Sequence, residues 1–323
     1  MQDYLQFLAS QRKLSQHTTS NYGLDLDELL RLSQQLWEST PAPASSQQHF
    51  STLSHAHMRK FAMQLHSRGL VARSIARKLS AWRGFFTWLA TQIHLPNNPV
   101  DGVKTPKRAK PLPKALATDD AVRLVANDNP NTDSHATLAL CNHALFELLY
   151  SSGLRVSELA ALDVRFSKQN GYISSSWIDI EAAEVHVTGK GNKSRIVPVG
   201  EHAIVAINAW LVVRATLLKN DGDESRYALF LSERGTRISS RVIQHRLKAH
   251  AQALSMPTHV HPHILRHSFA SHVLQGSGDL RAVQEMLGHT SITSTQMYPS
   301  LDFQRLAQVY DAAHPRAKKV PSK

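Results

Sequence analysis

The sequence predicts a mainly α-helical protein with a small β-sheet, folded as two domains. Three observations lead to this. Apolar residues recur at helical spacing along most of the chain, the period changes to two between Ile178 and Val199, and a basic proline-rich run separates a helical first part from a mixed second part. With 323 residues there is enough chain for two proper cores.

Residues 1–103 read as helix throughout. Tyr4, Leu5 and Leu8 open an amphipathic segment, and Thr18 to Leu36 carries another on Tyr22, Leu26, Leu29, Leu30 and Leu36. The run Pro41-Ala-Pro-Ala-Ser-Ser46 interrupts the pattern, and a third helix spans about Ser54 to Arg68, with Gly69 ending it. A fourth, from Ala72 to about Gln92, sets Arg73, Arg77, Lys78 and Arg83 beside Trp82, Phe85, Phe86 and Trp88. A basic face next to an aromatic one suits a helix laid against DNA. Taken alone, it reads more simply as a solvated face over an aromatic core.

Residues 104–114, Lys-Thr-Pro-Lys-Arg-Ala-Lys-Pro-Leu-Pro-Lys, form the linker. Its prolines stiffen it, and Lys104, Lys107, Arg108, Lys110 and Lys114 meet no acid. A plain spacer needs no such charge density, whereas a segment that tracks a phosphate backbone does.

The second domain covers residues 115–323. Thr118 with Asp119 and Asp120 is placed to cap its first helix. Ala136 to Tyr150 forms an apolar helix that stops at Ser151-Ser-Gly153, and Leu154 to Leu162 forms another with Leu154, Leu159 and Leu162 inward. Arg155 follows Gly153 so closely that it can point out of the fold. Three short strands follow on Ile178 and Ile180, Val185 and Val187, and Ile196, Val197 and Val199. Gly189-Lys-Gly-Asn-Lys193 turns between the last two. Helices resume at Ala203–Leu218 and Ser239–Leu254. Pro262 then suits the first position of a further helix and Gly276 the residue past its end. Leu280, Val283 and Leu287 mark a short helix closed by Gly288, and Ser291 can cap a last one leading to Tyr298.

Composition narrows the function. The net charge of +12 and pI near 9.9 favour a polyanionic partner, nucleic acid before membrane. No apolar run approaches the ~20 residues of a membrane span, and Met1-Gln-Asp-Tyr4 is no signal peptide, so a cytoplasmic protein is expected. Cys141, the single cysteine, excludes an internal disulfide and a cysteine-based zinc site and reads as a packed thiol.

The chemistry collects at helix starts and ends in the second domain: Arg155, Lys190, His263, Arg266, His267, His289 and Tyr298. His263, Arg266 and His267 share one helix face, at spacings of three and four. Two guanidinium forks can clamp the non-bridging oxygens of a phosphodiester and stabilise the charge of its transition state. A tyrosine phenol becomes a nucleophile in cationic surroundings, and a lysine on a turn can protonate a leaving alkoxide. Each residue alone has a bland reading: Arg266 as a salt-bridge partner, His267 as a core histidine, Tyr298 as a helix-end aromatic, Lys190 as a turn lysine. Their joint occurrence in this order is what argues against chance.

The order Gly-Leu-Arg-x-Ser-Glu-Leu (153–159), Gly-Lys-Gly-Asn-Lys (189–193), His-x-Leu-Arg-His (263–267) and Leu-Gly-His (287–289), with Tyr298 nine residues on, resembles the tyrosine recombinases of the phage integrase family. The resemblance covers nearly the whole chain. It implies an N-terminal SAM-like, core-binding helical domain that clamps DNA, followed by an α+β catalytic domain. The tail from Val309 to Ala317 is similar to that of members that resolve chromosome dimers.

Carried over residue by residue, the resemblance makes Tyr298 the nucleophile that forms a 3′-phosphotyrosyl link. Arg155 and Arg266 hold the phosphate, His289 adds a hydrogen bond, His263 moves the tyrosine proton, and Lys190 is the general acid, with Lys193 as the alternative. Glu158 and His267 support them, and Arg73, Arg77, Lys78, Lys104, Lys107, Arg108 and Lys110 contact DNA. No cofactor or metal is implied. The implied partners are a double-stranded recombination site, a XerD-like recombinase in a heterotetramer, and an FtsK-like DNA translocase, with no membrane insertion. Between Arg155 and Lys190 the chain is longer than the family pattern, with residues 166–176 as a loop insertion. The apolar stripe of Phe303, Leu306, Val309 and Tyr310 offers a surface for docking into a neighbouring protomer.

Other readings make different demands. A metal-dependent nicking enzyme would use His259, His261 and His263 as ligands, but Pro262 splays them and Arg266 repels a cation. A metal-carboxylate transposase lacks an acidic set. A type IB topoisomerase, a phage or mobile-element integrase, and a catalytically idle DNA-binding accessory protein remain as alternatives. Supercoil relaxation without strand exchange would mark the topoisomerase.

Overall fold

The structure, a computed structural model, describes residues 1–37, 50–105, 115–126, 136–169, 171–189, 193–218, 224–257, 259–288 and 301–317. The chain divides into two compact units, Met1–Pro111 and Leu112–Lys323.

The described part of the first unit is built on four helices: α1 (Gln2–Ser10), α2 (Gln16–Trp37), α3 (His55–Ser67) and α4 (Ala72–Leu89). Ser54 starts α3 by accepting the His57 amide, while the His57 ring accepts the Ser54 amide in return. On α4, Ile75, Leu79, Trp82, Phe86 and Leu89 recur at spacings of three and four, and all are buried with Leu26, Leu29 and Phe61. This helix stops at Leu89, a turn short of the expected Gln92. Its basic face divides. Arg73 is exposed, but Arg77 and Lys78 both pair with Asp25 of α2, a carboxylate with no exposed surface. Trp82 donates its indole N–H to the Asp25 carbonyl. Lys78, only 12% exposed, therefore compensates a buried charge and does not stand free on the helix surface.

The second unit holds a three-stranded antiparallel sheet, β3 (Trp177–Asp179), β4 (Glu184–Thr188) and β5 (Ser194–Pro198), in that order. A two-stranded ribbon, β1 (Lys168–Gln169) and β2 (Tyr172–Ile173), precedes it. The segment expected to be a loop insertion is thus a paired ribbon held in place. Tyr172 stacks on Tyr227 with centroids 4.3 Å apart and donates its hydroxyl to Asp163. Ile178, Val185, Val187 and Val197 turn one sheet face into the core.

Around the sheet lie α5 (Thr118–Val125), α6 (Ala136–Ser152), α7 (Val156–Ala161), α8 (Glu201–Arg214), α9 (Ser240–Ala253), α10 (Pro262–Ser277), α11 (Leu280–Leu287) and α12 (Leu301–Ala313). Thr118 is the first helical residue of α5 and makes no cap; the acids Asp119 and Asp120 stand in the first turn, where the helix dipole favours them. The apolar run of α6 becomes the centre of the core, against Trp210 of α8 and Phe269 of α10. Cys141 is buried within α6, and burial pushes its thiol up to about 11, so it stays protonated.

Pro262 opens α10 as expected, but Gly276 does not close it. The left-handed residue at its end is Gly278, while Gly276 lies inside the helix against Ala313 of α12. A Cβ at Gly276 would stand 2.8 Å from the Ala313 Cα. Gly276→Ala is therefore expected to destabilise the full chain by about 1–3 kcal/mol through overpacking, and so to lower its melting temperature. In an uncrowded helix the same change would stabilise. Calorimetry showing an unchanged or higher midpoint would refute the close packing of α10 and α12.

The stripe on α12 is also corrected. Leu306 and Tyr310 are buried in the core of their own unit, and Tyr310 shares a 2.7 Å hydrogen bond with Ser151. Beyond the helix, Arg316 pairs with the buried Glu147. Two of the four residues of that apolar surface are thus covered within their own chain, while Phe303 and Val309 are half-buried.

Candidate active site

The site grows out of one sharp turn. Gly153 adopts φ +55°, and a Cβ there would stand 2.3 Å from the Phe269 ring, so only glycine lets the end of α6 pass over α10. The chain then enters α7 with Arg155 as its N-cap, and Glu158, three residues on, reaches back to accept the Arg155 amide at 2.8 Å.

That geometry carries a carboxylate into the interior, where guanidinium groups surround it. Arg155 Nη1 donates to Glu158 Oε1 at 2.8 Å. Arg195, from β5, grips both oxygens at 3.0 and 2.8 Å. Arg266, from the second turn of α10, lies 4.0 Å away and donates to the carbonyls of Gly153 at 2.7 Å and Leu287 at 2.6 Å. Burial by itself would raise the Glu158 carboxyl, but the hydrogen bonds and charge of Arg195, then the bonds from Arg155, hold it at about 2. Burial lowers Arg266 to about 10, helped by the nearby charge of Arg155; it is still a cation at neutral pH. Three guanidinium groups against one carboxylate leave the cluster with an excess of two positive charges.

The excess faces a cleft of about 720 Å³, lined by Arg155, Gln244, Lys248, His261, His263 and Arg266 among others. Arg155 remains 42% exposed there, with donors left over after its bond to Glu158. His263 is exposed in the first turn of α10, and His267 is half-buried one turn on. The His261 ring lies parallel to His263 with centroids 6.3 Å apart; burial lowers its pKa, and the neighbouring imidazoles lower it further. Such a cleft suits an anion with two or more acceptor oxygens.

The structure thus brings together Arg155, Glu158, His263 and Arg266. Lys190, His289 and Tyr298 lie outside the described residues, as do Lys107, Arg108, Lys110 and Ser291. What flanks them is described. The Gly189 amide donates to the Lys193 carbonyl at 2.8 Å, and exposed Lys193 and Lys104 are both within the described chain. Among the described residues no three His, Cys, Asp or Glu side chains gather as a metal site. No described helix is long and apolar enough to cross a membrane.

Sequence reasoning missed Arg195. Its signal was a charge at a core-facing strand position: Arg195 pairs across from buried Val187, on the face it shares with Val197. An arginine there requires an internal acid.

Two family descriptions match the chain: the N-terminal SAM-like domain of phage integrases over residues 1–92, and the phage integrase family over residues 114–305. The tyrosine recombinase XerC of Ralstonia pickettii is 52% identical, over 98% of this chain and 93% of that protein. The XerC of Alcanivorax borkumensis is 43% identical over 98% and 94%. Among solved structures, the XerH site-specific recombinase on palindromic difH substrate, after cleavage, superposes with a TM-score of 0.64 at 20% identity, covering 93% of this chain and 81% of that one. A λ integrase dimer on its COC′ core site gives 0.63 at 16% identity, covering 92% and 97%. These two likenesses show the shared fold. With a catalytic-domain match over more than half its length and relatives this similar from end to end, the chain belongs to the phage integrase family and is a tyrosine recombinase of the XerC type.

Proposed function

We propose that this recombinase cuts and rejoins double-stranded DNA at a specific site, through a 3′-phosphotyrosyl intermediate and a Holliday junction, to resolve chromosome dimers at cell division. The observation that carries the reading is the cationic cluster around Glu158, aimed into an open cleft by Arg155 and Arg266. In this mechanism Arg155 and Arg266 bind the non-bridging oxygens, and His289 adds a hydrogen bond. The Tyr298 oxygen attacks phosphorus, passing its proton to His263. The bond from phosphorus to the 5′-oxygen breaks, and Lys190, or Lys193 in the same turn, protonates that oxygen. Attack by a 5′-hydroxyl of the partner strand reverses these transfers, so neither ATP nor a metal ion is consumed.

Glu158 and His267 support the cluster. Residues 1–103 clamp the duplex, with Arg73 and the outer edge of Arg77 on the phosphates. The linker 104–114 tracks the backbone through Lys104, Lys107, Arg108 and Lys110. The protein works in the cytoplasm with a XerD-like partner in a heterotetramer, under an FtsK-like translocase.

The test is a nicked suicide duplex carrying a XerC-type site, with and without the XerD-like partner, in excess chelator. A covalent complex whose linkage maps to Tyr298 by mass spectrometry is expected. Binding without a covalent complex under both conditions would point to an idle accessory protein. Supercoil relaxation without strand exchange would point to a topoisomerase.

A further inference from the structure

We infer that Arg195 is a positioning residue of the recombinase site, holding Glu158 and, through it, Arg155, while fixing the Met286 carbonyl at the end of α11. The inference rests on the function proposed above and adds a residue to its machinery. Every nitrogen of the Arg195 guanidinium is engaged: Nη1 and Nη2 on Glu158, and Nε on the Met286 carbonyl at 2.8 Å. Its side chain is only 11% exposed, against 42% for Arg155. Arg195 is therefore turned away from the cleft, where Arg155 keeps donors to spare.

What Arg195 joins is informative. Its own strand begins at Ser194, four residues after Lys190 in the sequence. Its bidentate grip reaches the carboxylate that also holds the backbone and side chain of Arg155. Its third bond takes one of the last carbonyls of α11, and Arg266 takes the next, that of Leu287. Carbonyls at a helix C-terminus lack partners within the helix and favour positive charge, so two guanidinium groups fix this end in place. The chain passes from there through Gly288 to His289. Gly288 has φ +65°, and a Cβ on it would meet the Arg195 side chain at 3.1 Å, so the glycine both turns the chain and leaves room for the clamp. One side chain thus ties together three segments that lead to Arg155, Lys190 and His289.

The test compares wild type with Arg195→Lys and Arg195→Gln in the full chain. A lysine keeps the charge but cannot reach both Glu158 oxygens and the Met286 carbonyl together. Misplacing reacting groups by about an ångström can cost on the order of 10²-fold. Arg195→Lys is expected to slow covalent-complex formation on the suicide duplex by about 10–100-fold, with duplex affinity within about threefold of wild type. In an Arg155→Ala background the same change should cost several-fold less than it does in wild type, because one of the groups it positions is gone. Equal losses in both backgrounds, or cleavage and affinity falling together, would overturn the inference. Hydrogen exchange gives a readout without catalysis: amides of 155–158 and 286–288 should exchange faster in both variants while α4 and α6 stay unchanged. Unchanged exchange at those amides would also overturn it. A wild-type protein that forms no covalent complex would sink the proposed function alone, leaving the exchange result to decide on Arg195.

Discussion

Arg266→Ala is expected to slow covalent-complex formation by about 10³-fold while duplex affinity falls less than tenfold. Arg266 is 8% exposed, and its two terminal nitrogens are fixed by the Gly153 and Leu287 carbonyls. A guanidinium held this rigidly does not reorganise when charge develops on a phosphate, which is what makes a fixed donor effective in the transition state. Affinity for a long duplex is spread over many phosphate contacts, so one buried arginine contributes little to it. Arg266→Lys should recover only a small part of the rate, because one ammonium nitrogen cannot span the two carbonyls that separate guanidinium nitrogens reach and also approach the cleft. Single-turnover cleavage and a binding titration of the same variant decide the matter. A rate within tenfold of wild type would remove Arg266 from the chemistry and leave it as a cap on α11. Circular dichroism should still report a folded chain, although two buried carbonyls lose a partner at about 1–3 kcal/mol each.

Much of this was legible in the chain. Local periodicity carried the helices: Tyr4 and Leu8, Leu26 and Leu29, and the inward Leu154, Leu159 and Leu162 are all buried as their spacing requires. The stops at Gly153 and Gly288 were readable because each glycine ends an apolar run and takes a positive φ. Gly276 misled because a helix-end glycine and a helix-packing glycine look alike until the partner, Ala313, is known. Pairings between distant segments were hidden for the same reason. Asp25 sits 52 residues from Arg77, and Glu158 sits 37 from Arg195, so no local window shows that these charges neutralise each other. The basic face of α4 looked free for DNA because its acid lies on another helix. In the site, spacing within α10 put His263 and Arg266 together, whereas the clamp on Glu158 required the sheet register.

The second large effect follows from that clamp. Glu158→Gln is expected to destabilise the full chain by about 3 kcal/mol near neutral pH, with the difference from wild type vanishing towards pH 2. Its carboxyl lies at about 2 in the fold against an ordinary 4.5. A pKa lowered by folding means that the unfolded chain binds the proton more tightly. The stabilisation is therefore fully present above about pH 4.5 and is lost as pH falls through the folded value. Denaturant titrations of wild type and variant at several pH values should show two curves that run parallel above pH 5 and converge below it. A constant gap down to pH 2 would mean that the variant loses packing or hydrogen bonds and that charge plays no part. The variant also leaves Arg155, Arg195 and Arg266 around a neutral amide, which makes the cluster a stronger anion trap. Sulfate should therefore raise the melting temperature of Glu158→Gln more than that of wild type. Equal increments would show that the three guanidinium groups do not share one field. In the wild-type protein Glu158 then does two things at once: it holds three cations within a few ångströms of one another, and it leaves two positive charges uncancelled for the phosphate that enters the cleft.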